Sequence, residues 1–171
     1  MLLLLGVLVA IGQQGLARAA TLQPDYAAPG YAISEYAPIL ATAPSFGAPA
    51  WRGDIAAAWA LRQRGKPYVW AAAGPNAFDC SGLAMRAWQH AGVRLEHWTG
   101  SQWTSGPHVR LDQLRPGDLV FFAYNTARPA TIHHVGIYIG GGRMVDAPYT
   151  GVDVRIDSIH EPGLIGATRP A

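Results

Sequence analysis

The chain carries a single cysteine, Cys80, and six histidines. Thiolate is the nucleophilic form of cysteine, and it needs a base or ion-pair partner to attack a carbonyl. Cys80 stands in Phe78-Asp-Cys-Ser-Gly-Leu83, where an apolar period of 3.6 begins. Leu83, Ala84, Ala87, Trp88 and Ala91 fall on one stripe. That pattern predicts a helix from Cys80, stopped by Gly92 and capped by Asp79. A helix N-terminus carries partial positive charge and unpaired N–H groups. Both favour thiolate, and the N–H groups can hold a developing oxyanion. A lone thiol also serves as a small buried hydrophobe. One cysteine excludes an intrachain disulfide and a tetrathiolate zinc site.

The partner must come from the histidines. His90 lies near the end of the predicted helix, facing away from Cys80 along its axis. His97, His108 and His160 lie in turn or terminal sequence. His133 and His134 open a stretch of period two, so only one of them faces a given site. His134-Val-Gly-Ile-Tyr-Ile139 enters Gly140-Gly-Gly142, and Arg143-Met-Val-Asp146 returns. With the turn centred on Gly140, His134 and Asp146 oppose each other, Cβ atoms about 5 Å apart. Asp146 would then orient the ring, completing nucleophile, base and orienter. A turn centred one residue away would bring Met144 or Pro148 instead. Two other readings stay open: an ordinary polar strand pair, and a zinc site of Cys80, His134 and Asp146. No local ligand pair of the usual spacing supports the zinc, so no metal and no cofactor is expected.

The elements that position these residues follow a simple order. Asp54 is expected to cap a helix running to Arg64, with Ile55, Ala58, Trp59 and Arg62 on one face and Gly65 after it. Lys66 to Trp70 reads as short and extended. After the helix from Cys80 the period changes to two. Strands are predicted over Asp118 to Ala123, His134 to Ile139, Arg143 to Ala147 and Val152 to Ile156. Turns fall at Pro116-Gly117, Gly140 to Gly142 and Pro148 to Gly151. Helices first and strands after argue an α+β fold, N-terminal helices packed on an antiparallel sheet.

Half of the 171 residues are hydrophobic and six are Trp, enough for a real core. The formal net charge is only +2, with no dense basic run, so nucleic acid is a poor partner. Residues 1–20 read as a signal peptide: an apolar run from Leu2 to Ile11, then Ala17-Arg-Ala-Ala20 as a cleavage site. The run is too short to span a bilayer. No Lys or Arg precedes it, which leaves room for a start further upstream. Residues 21–50, rich in Ala and Pro, read as a linker, and residues 51–171 as the catalytic domain.

Three motifs together resemble the NlpC/P60 family of cell-wall cysteine peptidases. Tyr68-Val-Trp with Phe78-Asp-Cys-Ser-Gly-Leu83 resembles the nucleophile motif. Leu114-Arg-Pro-Gly-Asp-Leu-Val-Phe-Phe122 resembles the central strand entry. His134-Val-Gly-Ile-Tyr-Ile-Gly140 with Met144-Val-Asp-Ala-Pro148 resembles the histidine hairpin. The resemblance implies a papain-like fold and hydrolysis of peptidoglycan stem peptides between D-glutamate and diaminopimelate. It makes Cys80 the nucleophile, His134 the base and Asp146 the third polar residue. It puts Tyr68 near the oxyanion, and Asp79 and Ser81 in the groove wall. It further implies a secreted monomer working at the cell wall, with stem peptides as partner and no membrane contact beyond the export signal. Two departures stand out. Ala71 and Ala72 occupy positions that are often glycine, where positive φ would strain them. Glu96-His97 stands where a Pro-Arg pair is common. A non-catalytic wall-binding module of the same fold, or a related amidase or acyltransferase, remains the alternative.

Overall fold

The computed structural model describes residues 51–170. The predicted signal peptide and linker lie outside the described residues. Helix α1 spans Arg52–Leu61 and α2 spans Cys80–His90. A short helix, α3, covers Thr99–Trp103. Six strands follow: β1 His108–Val109, β2 Leu119–Ala123, β3 Ile132–Gly140, β4 Arg143–Asp146, β5 Arg155–Ser158 and β6 Leu164–Thr168. They form one sheet in the order β1-β6-β2-β3-β4-β5, and every pair is antiparallel. The α+β expectation holds. Among the described residues no helix is long and apolar enough to cross a membrane.

Helix α2 matches its sequence pattern. Leu83, Ala84, Ala87 and Trp88 are buried, and Gly92 takes the positive φ that lets the chain turn away. These side chains pack on Phe121, Val135, Ile137, Ile139 and Val145 of the sheet. The opposite sheet face carries a smaller cluster of Val120, Phe122, Met144 and Ala167. Helix α1 differs from expectation. It begins at Arg52 with Trp51 as its cap residue, so Asp54 lies inside the first turn. Its buried face is Gly53, Ala56, Ala57 and Ala60, rather than the stripe through Ile55 and Trp59. The reason is close approach. A Cβ on Gly117 would collide with the Gly53 backbone, so only a small-residue face fits against the Pro116-Gly117 turn.

The strands differ from the expected spans at their ends, and two were not foreseen. β5 starts at Arg155 instead of Val152, and β1 and β6 were unread. β6 is interrupted by Gly166 and meets β2 across an irregular register, which hides its period. Lys66 to Trp70 forms only isolated bridges, Pro67 to Asp153 and Tyr68 to Phe78.

Beyond the pairing of β6, an ion pair anchors the C-terminal segment. Arg169 donates from Nε and Nη2 to the two carboxylate oxygens of Asp118, at 2.8 and 2.7 Å. Asp118 is 1% exposed and also accepts from the Arg115 N–H. Removing one member of such a pair leaves a buried charge without its partner. Arg169→Ala is expected to lower stability by roughly 2–4 kcal/mol, read from the urea midpoint at unchanged slope.

Candidate active site

The site begins with the loop before α2. Asp79 is buried, and its Oδ1 accepts from the Gly82 N–H at 2.6 Å, capping the helix as the sequence predicts. Its Oδ2 accepts from the Ala71 N–H at 2.9 Å. Ser81 Oγ donates to Oδ1, and His97 Nε2 lies 2.8 Å from it. One carboxylate therefore ties the loop, the helix start and the His97 segment together. Ala71 sits at φ 60, the left-handed region where a Cβ is unfavourable. Ala72 does not, so only the first of the two alanines is strained.

The hairpin pairs differently from expectation. Ile137 faces Val145 and Tyr138 faces Met144, with an irregularity at the turn. The turn is thus centred nearer Gly141, and on this register Pro148 would oppose His134. The predicted pair forms nonetheless, on the diagonal. The His134 Nε2–H donates to Asp146 Oδ2 at 2.8 Å. Diagonal neighbours on one face are within reach of long side chains. Gly136, between them in register, has no side chain, and the Met144 side chain fills the space where one would stand.

A second irregularity lies at the other end of β3. Phe122 pairs with His134, but Ala123 pairs with Ile132, leaving His133 as an extra residue. Such a bulge breaks strict alternation. Both histidines therefore line the same groove, against the expectation that only one would.

All six predicted site residues, Cys80, His134, Asp146, Tyr68, Asp79 and Ser81, line this groove of about 850 Å³. The charges within it are coupled. Burial opposes the charged form of the His134 ring. The hydrogen bond it donates to Asp146, and then the interaction with Cys80, outweigh it and push the ring up to about 9. Asp146 is 1% exposed, and its Oδ1 has no hydrogen-bond partner among the described residues. Burial raises its carboxyl above the ordinary value, and the His134 bond pulls the other way. His133 moves opposite to its neighbour: burial, then the His134 charge, lowers it. Burial, then the negative charges of Cys80 and Asp79, raise the Tyr68 phenol, which keeps it a hydrogen-bond donor. Asp146 holds Nε2, so Nδ1 is the His134 nitrogen left for Cys80. Among the described residues, no group of three or more His, Cys, Asp and Glu could hold a metal ion.

Sequence reasoning missed several groove residues. His97 was read as turn sequence, although its place in the unusual Glu96-His97 pair was a signal. Trp98, Tyr124 and His133 also line the groove. Nothing in their local pattern separates them from ordinary surface aromatics.

The NlpC/P60 family model matches residues 65–169. Over 117 residues the chain is 35% identical to the peptidoglycan endopeptidase RipA of Mycolicibacterium smegmatis, covering 61% of this chain and 22% of that protein. Over 109 residues it is 38% identical to the gamma-D-glutamyl-L-lysine dipeptidyl-peptidase of Bacillus subtilis, covering 61% and 36%. The chain thus spans between a fifth and about a third of the length of these relatives. A solved NlpC/P60 family structure from Bacillus cereus superposes with a TM-score of 0.64 at 33% identity, covering 68% of this chain and 39% of that one.

Two outcomes follow from the geometry. In an NMR titration the His134 ring is expected to lose its proton near pH 9. With Asp146→Asn the main group favouring the cation is gone, and the midpoint is expected to fall by roughly one unit or more. Because the folded ring holds its proton more tightly than the unfolded one, that stabilisation is complete below about pH 6.5 and is lost as pH rises through about 9. Ala71→Gly removes the Cβ from the left-handed position. It is expected to stabilise the fold by about 1 kcal/mol, seen as a rise of a few degrees in Tm.

Proposed function

The chain belongs to the NlpC/P60 family, and we propose that it is a peptidoglycan endopeptidase that cuts stem peptides by a thiol mechanism. The observation that carries this reading is the pair His134 Nε2 to Asp146 Oδ2, at 2.8 Å, beside Cys80 at the head of α2. The names of the relatives point the same way: one acts on peptidoglycan, the other on a γ-D-glutamyl bond. The bond we assign is the one between D-glutamate and diaminopimelate.

The Cys80 thiolate attacks the amide carbon and forms a tetrahedral intermediate. The Cys80 backbone N–H at the helix start and the Tyr68 hydroxyl donate to its oxyanion. The His134 Nδ1–H gives its proton to the leaving amine as the C–N bond breaks, leaving a thioester on Cys80. Water then enters, Nδ1 takes its proton, and hydroxide adds to the thioester carbon. Collapse frees the new carboxylic acid, which loses its proton to solvent, and returns the thiolate and the imidazolium. Asp146 holds the ring so that Nδ1 faces the sulfur. Asp79 and Ser81 form the wall that receives the stem. Residues 1–20 direct export, so the work is done at the cell wall outside the membrane.

The full chain, incubated with soluble muropeptides, is expected to give fragments ending in D-glutamate by mass spectrometry. Cys80→Ala should reduce their rate of formation roughly a thousandfold or more. Products that persist at the wild-type rate in that variant would overturn the mechanism.

A further inference from the structure

The groove carries a second feature that the cleavage chemistry does not use. Among the described residues, four large hydrophobic side chains are more than half exposed: Trp70, Trp98, Tyr124 and Tyr149, at 81%, 66%, 83% and 58%. All four are aromatic, and all four line the groove that holds Cys80. Exposed apolar surface gathered at one groove marks a binding surface rather than chance.

Two of these rings are held in place. Tyr124 stacks on His133, ring centroids 3.9 Å apart and 14° from parallel. Trp98 lies over Gly100, where even a Cβ would come within 2.6 Å of its ring. A ring already resting on a neighbour loses less side-chain freedom on binding than one that stands alone. Both neighbour the site in sequence: Trp98 follows His97, which bonds Asp79, and Tyr124 stacks on His133, the residue before His134.

The stem peptide does not account for such rings. Its alanine, glutamate and diamino acid residues offer methyl groups and charges, and no broad apolar plane. A pyranose ring does offer one, through its axial C–H bonds, while its hydroxyls stay in water. Chain length places that ring nearby. Only two residues and the short acyl-ether arm separate the proposed bond from the sugar that bears the stem; because the glutamate is joined through its γ-carboxyl, the reach exceeds that of two ordinary residues and is roughly 10 Å or more at full extension. A sugar-linked stem bound at Cys80 must bring its glycan to the rim of the groove.

We propose that Trp98 and Tyr124 stack sugar rings of the glycan strand, so that the substrate class is the glycan-linked stem rather than the free peptide. This rests on the peptidase reading above. The test is calorimetry on the full chain bearing Cys80→Ala, which prevents turnover. Two probes are used: a disaccharide-linked tetrapeptide stem, and the same stem N-acetylated and without sugar. The sugar-linked probe is expected to bind at least tenfold more tightly. Adding Trp98→Ala and Tyr124→Ala together should bring the two affinities within about twofold. Trp98→Phe with Tyr124→Phe, which keeps flat rings, should retain most of the preference and serves as the control for folding. Equal affinities in the parent, or a preference that survives loss of both rings, would overturn the proposal. Cleavage by the wild-type chain is read separately. A sugar preference without cleavage sinks only the peptidase reading, and cleavage without a sugar preference sinks only the glycan site.

Discussion

The carboxylate of Asp79 accepts hydrogen bonds from the Ala71 N–H, the Gly82 N–H and the Ser81 hydroxyl, and meets the His97 ring. The rest of the site hangs on that set of contacts. The bond to Gly82 decides where α2 begins, and so where Cys80 stands. The bond to Ala71 holds a left-handed residue that would otherwise relax. The loop from Tyr68 to Phe78 is thereby pinned against the helix start. Gly82 completes the arrangement, because any side chain there would strike the Ala72 carbonyl and the His97 ring.

The other half of the site depends on how the sheet departs from regularity. A regular β3 would aim His133 and His134 to opposite faces. The bulge opposite Phe122 and Ala123 leaves His133 unpaired and turns both rings into the groove. They then serve different ends. His134 is tied to a buried carboxylate and holds its proton to about pH 9, while His133 is lowered and stacks on Tyr124. One irregularity thus sets a carboxylate-bound ring and a stacked aromatic pair side by side from neighbouring residues.

The groove brings together two kinds of side chain: charged and hydrogen-bonding groups (Asp79, Cys80, Ser81, His134 and Asp146) and exposed aromatic rings (Trp70, Trp98, Tyr124 and Tyr149). The exposed rings are not a defect of packing, since the described core is closed by Trp88, Phe78, Phe121 and Leu83, all nearly fully buried.

Sequence alone determined what rests on local physics. The stripe of α2, its Asp79 cap and its Gly92 stop were legible because helix period and capping act within a few residues. The glycine turn at 140–142 and the antiparallel class followed for the same reason. His134 and Asp146 were expected to meet, and they do, but on a register other than the one expected. Tertiary structure decided the rest. The diagonal contact of His134 with Asp146 depends on a bare Gly136 and on Met144 filling its place. The buried face of α1 depends on how near Gly117 comes to Gly53. The approach of His97 to Asp79 spans 18 residues. β1 and β6 exist only because each finds a partner far along the chain. Bulges, close backbone contacts and long-range pairs are set by packing between distant segments, and a periodicity read along one segment carries no record of them.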